Sequence, residues 1–333
     1  MNQLQWIKLR VQQLTPLSEE TGLSVFQLLL SYEKCKFLHG ATFDQFLELP
    51  LYSYSNYELS KFLSVGRQRK LKDKYFNLGA QEQDYSVFDN KHNFMEAFRD
   101  YVHRDWVYLP ESSPEDVRAF AERNPDFLIK TDVGTCGIGI SLNHSDGFDP
   151  DRFWEEHHTE PLLLDGYIHQ HPDMAALNPS SVNTVRIVTA RYNGQVMIVG
   201  TALRCGGAGS HLDNFHSGGV AYPVDLETGI VSGPGRHQAD QRTFLRHPST
   251  GRIVPGFQIP NWNILLEQVQ KAASYPTSLS KVGYMGWDVA VTPEGIALIE
   301  GNAYPMPALI QMDGSGVYKK LTDFIASATE TAP

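Results

Sequence analysis

The sequence predicts a mixed α/β fold of the α+β type, in which a helical N-terminal region precedes two lobes that contain the strands. Apolar residues recur at helical spacing through roughly the first 110 residues. From residue 126 onward, short apolar runs separated by Gly, Asn and Pro turns indicate strands. Because 333 residues exceed one ordinary domain, we expect two or three subdomains around a large core, with the helical region over 1–110.

Charge and hydropathy exclude several classes of protein. The formal net charge of −10 argues against bulk binding to nucleic acid or to an anionic membrane, although a local basic pocket for an anion is compatible with it. No apolar run approaches the roughly 20 residues that span a bilayer, and the first residues lack a signal-peptide core. Three widely spaced cysteines, Cys35, Cys136 and Cys205, favour neither a disulfide framework nor a zinc site. We therefore expect a reduced, cytoplasmic protein without membrane insertion.

The N-terminal region is expected to be mostly helical. One helix is predicted over 18–38, with Ser18 or Thr21 as its cap, and another over 91–102. Between them lies the strongest basic cluster of the chain, residues 67–74. This cluster fits a solvated helix face, or a contact to phosphate or to a partner, and the sequence leaves the choice open.

Strands and tight turns dominate the chain after residue 110. Ser113 is expected to cap a short helix that begins at Pro114. Runs at 182–191 and 195–204 flank Asn193-Gly194, which is a strong signal for a two-residue hairpin turn. The remaining predicted elements are strands over 127–130, 162–168, 283–292 and 296–301 and helices over 262–274 and 317–326.

The last predicted hairpin carries the sharpest functional signal. If residues 293–295 form its loop, Thr292 pairs with Ile296, and counting outward places Asp288 opposite Glu300. Asn302 then shares their face. The other face is expected to consist of Trp287, Val289, Val291, Ala297 and Ile299. Opposed carboxylates repel unless a cation lies between them, and this set of oxygen ligands suits Mg²⁺ or Mn²⁺. The alternative is a polar edge that faces solvent.

A glycine-rich loop follows the strand that ends at Lys130. Its glycines, Gly134, Gly137 and Gly139, have the order G-x-x-G-x-G, which is neither the dinucleotide fingerprint nor a P-loop. Backbone amides of such a loop could fold over phosphates, with Lys130 as a point charge, but glycine loops are also common in hairpins. Cys136 in this loop fits a small loop residue better than a nucleophile.

Polar residues also decorate the middle hairpin. Asn183 and Arg186 are expected on its first strand and Arg204 at the end of the second, and these three are the candidate catalytic residues. Two arginines directed across one strand pair can clamp phosphate or carboxylate oxygens. His169 and His171 form an H-x-H, but the sequence places no third metal ligand beside them, so a structural or ribose-contacting role is the better interpretation.

In this order, the features resemble those of an ATP-grasp enzyme. Two stretches, 178–189 and 212–219, resemble the sugar-transfer-associated ATP-grasp group through their N-T-x-R and D-N-x₃-G-G motifs. The segment around Arg104-Asp105-Trp106 is similar to the N-terminal part of that group. The resemblance covers most of the chain and implies an ATP-grasp fold, in which two α+β lobes clamp ATP. The small lobe, with the glycine-rich loop, would span 111–170, and the large lobe, with the metal site, would span 171–333.

The resemblance implies a nucleotide site. Lys91 and Lys130 would hold the ATP phosphates, and loop 131–139 would close over them. The hinge at 163–168 would face adenine through backbone groups, although Asp165 stands where many relatives have Glu. The implied nucleotide-binding residues are Lys91, Lys130, Gly134, Gly137, Gly139, Leu164, Asp165, Ile168, His171 and Asp173.

The same resemblance implies the metal ions and the chemistry. Asp288, Glu300 and Asn302 would bind two Mg²⁺ ions, and Arg186 or Arg204 would neutralise the transferring phosphate. A substrate carboxylate would attack the γ-phosphate, and an amine would then displace phosphate to form an amide. An amino acid joined to a sugar acid or amino sugar, in polysaccharide, glycoconjugate or secondary-metabolite synthesis, is the expected use.

Two further functions fit these residues. The first is a phosphotransferase on the same fold, and the second is a non-catalytic subunit that binds ATP and Mg²⁺. The sequence leaves open both substrates, the choice between ligase and kinase, and whether the chain forms a homo-oligomer.

Overall fold

The computed structural model describes residues 3–134, 139–207, 219–237 and 242–331. Helices occupy the N-terminal third, and the strands form two antiparallel sheets, which confirms the predicted mixed α/β fold. Within the described residues, no helix is both long enough and apolar enough to cross a bilayer.

The N-terminal helices pack around a core of their own, built from aromatic and aliphatic side chains such as Leu28, Phe46 and Phe62. Ser24, Thr42 and Ser55 each form a capping box with a Gln or Glu three residues later, which fixes where these short helices begin. The helices are α1 (Gln3–Thr21), α2 (Val25–His39), α3 (Phe43–Glu48), α4 (Asn56–Lys61), α5 (Val65–Leu71), α6 (Glu82–Asp89), α7 (Lys91–Ala97) and α8 (Arg99–Val102).

The prediction of one helix over 18–38 is wrong, because α1 ends at Thr21 and α2 begins at Val25. Gly22 has a φ of +71°, a conformation that favours glycine, and Ser24 caps the next helix. Both predicted caps, Ser18 and Thr21, lie inside α1. The helix predicted over 91–102 is likewise divided into α7 and α8.

A small four-stranded sheet follows. Its strands are β1 (Trp106–Tyr108), β2 (Asp126–Thr131), β3 (Ile140–His144) and β4 (Leu162–Gly166), in the spatial order β1-β4-β2-β3. Helices α9 (Pro114–Arg123) and α10 (Pro150–His157) pack against it around Phe120, Phe127 and Leu164. As predicted, Ser113 caps α9, here in a capping box with Asp116. The first strand of this sheet begins at Trp106, within the range predicted as the helical region.

A larger seven-stranded sheet contains the rest of the described strands, in the order β11-β10-β5-β6-β7-β8-β9. They are β5 (Thr184–Tyr192), β6 (Gln195–Cys205), β7 (Val220–Pro223), β8 (Gly235–His237), β9 (Thr243–Phe244), β10 (Tyr284–Thr292) and β11 (Gly295–Asn302). Three more helices complete the fold: α11 (Pro172–Ala175), α12 (Trp262–Ala273) and α13 (Tyr318–Glu330).

Two cores cover the large sheet. One core joins α12 to residues of α6–α8 around Trp287, and the other joins α13 to the N-terminal helices around Tyr284. Consecutive residues of β10 therefore face different cores, as the alternation of side chains in a strand requires. The Asn193-Gly194 turn forms as predicted, with positive φ at both residues.

The β10–β11 hairpin differs from the predicted register near its turn. Its loop has two residues, so Thr292 pairs with Gly295 rather than with Ile296. A bulge beside Asp288 then shifts the ladder by one residue, and Asp288 pairs with Glu300 as predicted. The shift also changes the apolar face, because Ile296 and Leu298 join the Trp287 core in place of the predicted Ala297 and Ile299.

Candidate functional site

A buried cluster of one carboxylate and two guanidinium groups lies where strands β5, β6 and β10 are adjacent. Asp288 stands directly opposite Arg186 in the β5–β10 ladder. Arg186 donates to both carboxylate oxygens of Asp288, at 2.5 and 2.9 Å, and Arg204 Nη1 donates to Asp288 Oδ2 at 2.6 Å. Although burial favours the neutral carboxyl, the two arginines hold the pKa of Asp288 well below its usual range.

Glu300 supplies a second carboxylate beside this cluster. It pairs with Asp288 across the ladder. Part of its side chain is exposed, but the surrounding protein atoms desolvate its carboxylate. This desolvation, followed by the charge of Asp288, raises the pKa of Glu300 to about 7, although both arginines act in the opposite direction. Asn302 lies two residues further along β11, and its Oδ1 accepts a hydrogen bond from the Tyr304 amide at 2.7 Å.

Lys130 belongs to a second buried charge cluster, on the small sheet. Its ammonium group is paired with the Asp165 carboxylate. Arg104 donates to the same carboxylate, from Nε at 2.6 Å and from Nη2 at 3.2 Å. Arg104 Nη1 also donates to the Leu298 carbonyl of β11 at 2.6 Å, and so connects the two sheets. Burial opposes ionisation of Asp165, but Arg104 and Lys130 keep the pKa of this carboxyl below its usual range.

Lys91 holds the first part of the glycine-rich loop. Its Nζ donates to the carbonyls of Thr131 and Gly134 at 2.8 and 3.2 Å. Burial, and then the charge of Lys130, lower the pKa of Lys91, whereas Glu300 raises it. The charges of both lysines and of Glu300 are thus close enough to affect one another. Gly137 and Cys136 lie outside the described residues, as do residues 212–218 of the D-N-x₃-G-G motif.

Gly139 closes the described end of this loop. Its φ is +74°, and a Cβ there would lie 2.5 Å from Thr131 Oγ1. The Thr131 amide donates to the Gly139 carbonyl at 3.0 Å, which brings the two ends of the loop together. A glycine is therefore required at this position both by the backbone conformation and by the close approach.

The predicted hinge residues have different environments. Leu164 points into the α9–α10 core, and Ile168 is half-buried beyond the end of β4. The His171 amide donates to the Val291 carbonyl at 2.7 Å, and His171 Nδ1 accepts from the Asp173 amide at 3.2 Å. The Asp173 side chain is exposed. These contacts attach the segment after β4 to strand β10.

Asn183 is not part of the arginine–carboxylate cluster. Its side chain is fully buried, and its Nδ2 donates to Gln170 Oε1 and to the carbonyls of Met174 and Asn178, at 2.8 to 3.0 Å. This geometry gives Asn183 a role in shaping the 170–183 segment that leads into β5. Its amide oxygen has no hydrogen-bond partner among the described residues.

Arg104 and Lys72 are buried cationic side chains near the candidate site that reasoning from the residues did not identify. The partners of Arg104 lie 61 and 194 residues further along the chain, so no local spacing reveals them. Lys72 could not be distinguished by sequence from the other cations of the basic cluster 67–74, although the residues of this cluster have different roles in the fold. Arg67 donates to three carbonyls at the end of α4, Lys72 is buried, and Lys74 is exposed.

Several solved structures are distantly similar to this chain. The chain is similar to the ATP-grasp ligase PsnB, solved with a phosphomimetic precursor variant, Mg and ADP, at 13% identity over 80% of this chain and 66% of that one, with a TM-score of 0.43. It is also similar to D-alanyl-alanine synthetase A from Vibrio cholerae, at 13% identity over 75% of this chain and 68% of that one, with a TM-score of 0.45. The chain therefore spans about two thirds of the length of these proteins.

A family profile matches the chain over a long range. No curated protein sequence matches the chain. The profile of the family described as sugar-transfer associated ATP-grasp matches residues 153–326, which is more than half of the chain. The matched range contains Arg186, Arg204, Asp288, Glu300 and Asn302. This protein belongs to the sugar-transfer-associated ATP-grasp family.

Proposed function

We propose that this protein is an ATP-dependent ligase that joins a carboxylate to an amine through an acyl phosphate. One observation carries the proposal: the Asp288–Glu300 carboxylate pair lies beside Arg186 and Arg204, with Lys91 close enough to interact with Glu300. Opposed carboxylates bordered by cations suit the phosphates of a nucleotide and the metal ions bound to them.

The nucleotide phosphates would be held from the small sheet. Lys91 and Lys130 would supply the cations, and loop 131–139 would supply backbone amides. The Asp165 carboxylate binds the Lys130 ammonium group, and Arg104 holds that carboxylate in place. The orientation of Lys130 therefore does not depend on solvent. The predicted roles of Leu164, Ile168, His171 and Asp173 at the base and ribose remain part of this proposal.

The residues present fit a magnesium ion. Asp288, Glu300 and Asn302 offer carboxylate and amide oxygen atoms, and desolvation with the nearby charge of Asp288 raises the pKa of Glu300, which a bound cation would offset. The described residues contain no group of three or more His, Cys, Asp or Glu side chains that could hold a metal. The remaining ligands of a bound Mg²⁺ would therefore be phosphate oxygens and water, as is usual for this ion. When bound, Mg²⁺ or Mn²⁺ would neutralise charge on the phosphates.

The chemistry proceeds in two steps. A substrate carboxylate oxygen bonds to the γ-phosphorus while the bond to the β,γ-bridging oxygen breaks, which releases ADP. An amine nitrogen then attacks the acyl carbon, phosphate leaves, and the proton of the amine passes to solvent. Arg186 and Arg204 would neutralise the transferring phosphoryl group, so the protein would contribute position and charge rather than a nucleophile.

The substrates are proposed by class. The family description points to sugar transfer, so we propose a sugar acid or amino sugar and an amino acid as the two partners, in polysaccharide or glycoconjugate synthesis.

The test is a screen of amino acids and uronic acids for ADP release that requires both a carboxylate and an amine. An amide product with free phosphate supports the ligase, whereas a stable phosphorylated product identifies a phosphotransferase. Binding of ATP without turnover identifies a non-catalytic subunit. Glu300→Gln is expected to abolish turnover, while Glu294→Gln, in the exposed turn of the same hairpin, is the matched control. Full turnover in Glu300→Gln would refute the metal assignment.

A further inference from the structure

The segment that follows the proposed metal strand is attached to the N-terminal helical region. Lys72 Nζ donates to the Ala303 carbonyl at 2.6 Å, and Gln68 Nε2 donates to the Pro305 carbonyl at 2.8 Å. Gln68 and Lys72 are four residues apart, which places them on one face of α5 and its continuation. Both side chains are buried, with exposed fractions of 8% and 6%.

The segment 302–305 is also fixed on its other sides. The Tyr304 ring lies 3.9 Å from Lys72 Nζ and stacks on Tyr85, with ring centroids 5.6 Å apart. Pro305 packs against Gly286, where a Cβ would come within 2.8 Å of the proline. Gly286 is the cross-strand partner of Asn302. The Tyr304 amide in turn holds the Asn302 side-chain oxygen.

Burying the Lys72 ammonium group in this space has a desolvation penalty. Desolvation lowers the pKa of Lys72 to about 8, and the amine makes one hydrogen bond to Ala303 and one contact with an aromatic face. A π-helical turn over Lys72–Phe76 begins at this residue, and such turns are frequent at functional sites. An apolar side chain would pack here without that desolvation cost.

We propose that Lys72 and Gln68 are positioning residues, which fix the backbone of 302–305 and thereby place Asn302 to bind the divalent metal that accompanies the nucleotide. This inference rests on the proposed function. Both residues precede the matched family range of 153–326, so the N-terminal region acts on the site through this segment.

The test compares metal-dependent and metal-independent binding of ADP. Calorimetry of the full chain measures ADP affinity in EDTA and the Mg²⁺ concentration at which ADP affinity rises. In Lys72→Met we expect the required Mg²⁺ concentration to rise about tenfold, while the affinity for ADP in EDTA stays within twofold of the parent. Lys72→Arg, which retains charge and donors, is expected to recover part of the loss. Lys74→Met, an exposed neighbour, is the control and should match the parent.

The possible results separate this inference from the proposed function. If the parent binds ADP without any response to Mg²⁺, the proposed function fails. If the parent responds to Mg²⁺ and Lys72→Met responds equally, the inference is overturned and the proposed function stands. If Lys72→Met does not fold, Gln68→Leu decides: a several-fold increase in the required Mg²⁺ supports the inference, and an unchanged requirement overturns it.

Discussion

Asp165 and Asp288 are buried carboxylates that are each balanced by two cationic side chains from neighbouring strands and loops. Asp288 is held by Arg186 and Arg204, and Asp165 by Lys130 and Arg104. The sequence indicated Asp165 as a hinge residue with an uncertain side-chain contact. In the structure, this side chain orients Lys130 and is not available to a base. A pair of this kind is weak evidence for stability, but removing one partner leaves a buried charge uncompensated.

Asp165→Asn should therefore destabilise the protein by about 3–5 kcal/mol at neutral pH, because Arg104 and Lys130 lose their counter-charge. The sign of the pH dependence follows from the lowered pKa of Asp165. The stabilisation is fully present above the unfolded-state pKa of about 4, and it is lost as pH falls through the lower folded-state pKa. Urea unfolding of both proteins between pH 3 and pH 7 measures the difference.

Asp105→Asn is the matched control for this comparison. Asp105 also pairs with an arginine, Arg123, at 2.7 Å, but both side chains are about half exposed. A pair of this kind contributes at most about 1 kcal/mol. Equal effects of the two substitutions would show that burial does not strengthen the Asp165 cluster.

At the scale of single elements, the β10–β11 hairpin shows what could be predicted from sequence. Alternation correctly placed Asp288 opposite Glu300, but only because two departures cancel: the turn is one residue shorter, and a bulge adds the residue back. The bulge could not be predicted, because strand periodicity carries no signal for an unpaired residue. The apolar face was wrong for the same reason, since Ile296 and Leu298 face the core.

Helix boundaries were less predictable than strands. The break between α1 and α2 depends on one glycine with positive φ, inside a range whose apolar spacing reads as one helix. Contacts between distant segments, such as Arg104 with Leu298, could not be predicted at all, because they depend on how the two sheets meet. Asp288, Glu300 and Asn302, the residues of the proposed metal site, could be found because they lie on one strand pair.

Gly139 allows a prediction about the glycine-rich loop as an element. Gly139→Ala should cost about 1 kcal/mol for its positive φ, and roughly 1–3 kcal/mol more because the new Cβ meets Thr131. Gly147→Ala is the control: its φ is +78°, and nothing lies within 4 Å of the added Cβ. Denaturant unfolding isolates the steric contribution as the difference between the two variants.

A double variant checks the cause of this effect. Removing the Thr131 hydroxyl and methyl in Thr131→Ala should recover most of the additional loss in Gly139→Ala, because the two closest atoms disappear. If Gly139→Ala and Gly147→Ala destabilise the protein equally, the ends of the loop are not packed as closely as described.

At the scale of the whole molecule, the parts that contain the separate hydrophobic cores must be held in fixed positions relative to one another. The N-terminal helices have one core, the small sheet has another, and the large sheet is covered by two larger cores and a small cluster around Leu309. Among the side chains that connect these parts are Arg104 and Gln311. Arg104 joins the small sheet to β11, and Gln311, which precedes α13, is bonded to Leu63 between α4 and α5. The proposed function needs the Arg104 connection, because Lys130 and the carboxylate pair Asp288–Glu300 lie on different sheets.

Gln311 is fully engaged at this connection. Its Oε1 accepts from the amides of Leu63 and Val317, at 2.7 and 3.1 Å, and its Nε2 donates to the carbonyls of Leu63 and Pro307, at 3.1 and 2.8 Å. The side chain is 1% exposed. Each of these backbone groups would be left without a partner if the amide were removed.

Gln311→Met, which keeps the length of the side chain, should therefore lower the free energy of unfolding by about 2–4 kcal/mol, because buried backbone donors and acceptors lose their partner. Hydrogen exchange at the Leu63 and Val317 amides should accelerate, since both now donate to Gln311. Gln195→Met, at an exposed side chain that bonds to Thr331, should change stability by less than about 0.5 kcal/mol. Unchanged exchange at both amides in Gln311→Met would show that packing alone holds the helical region against the large sheet.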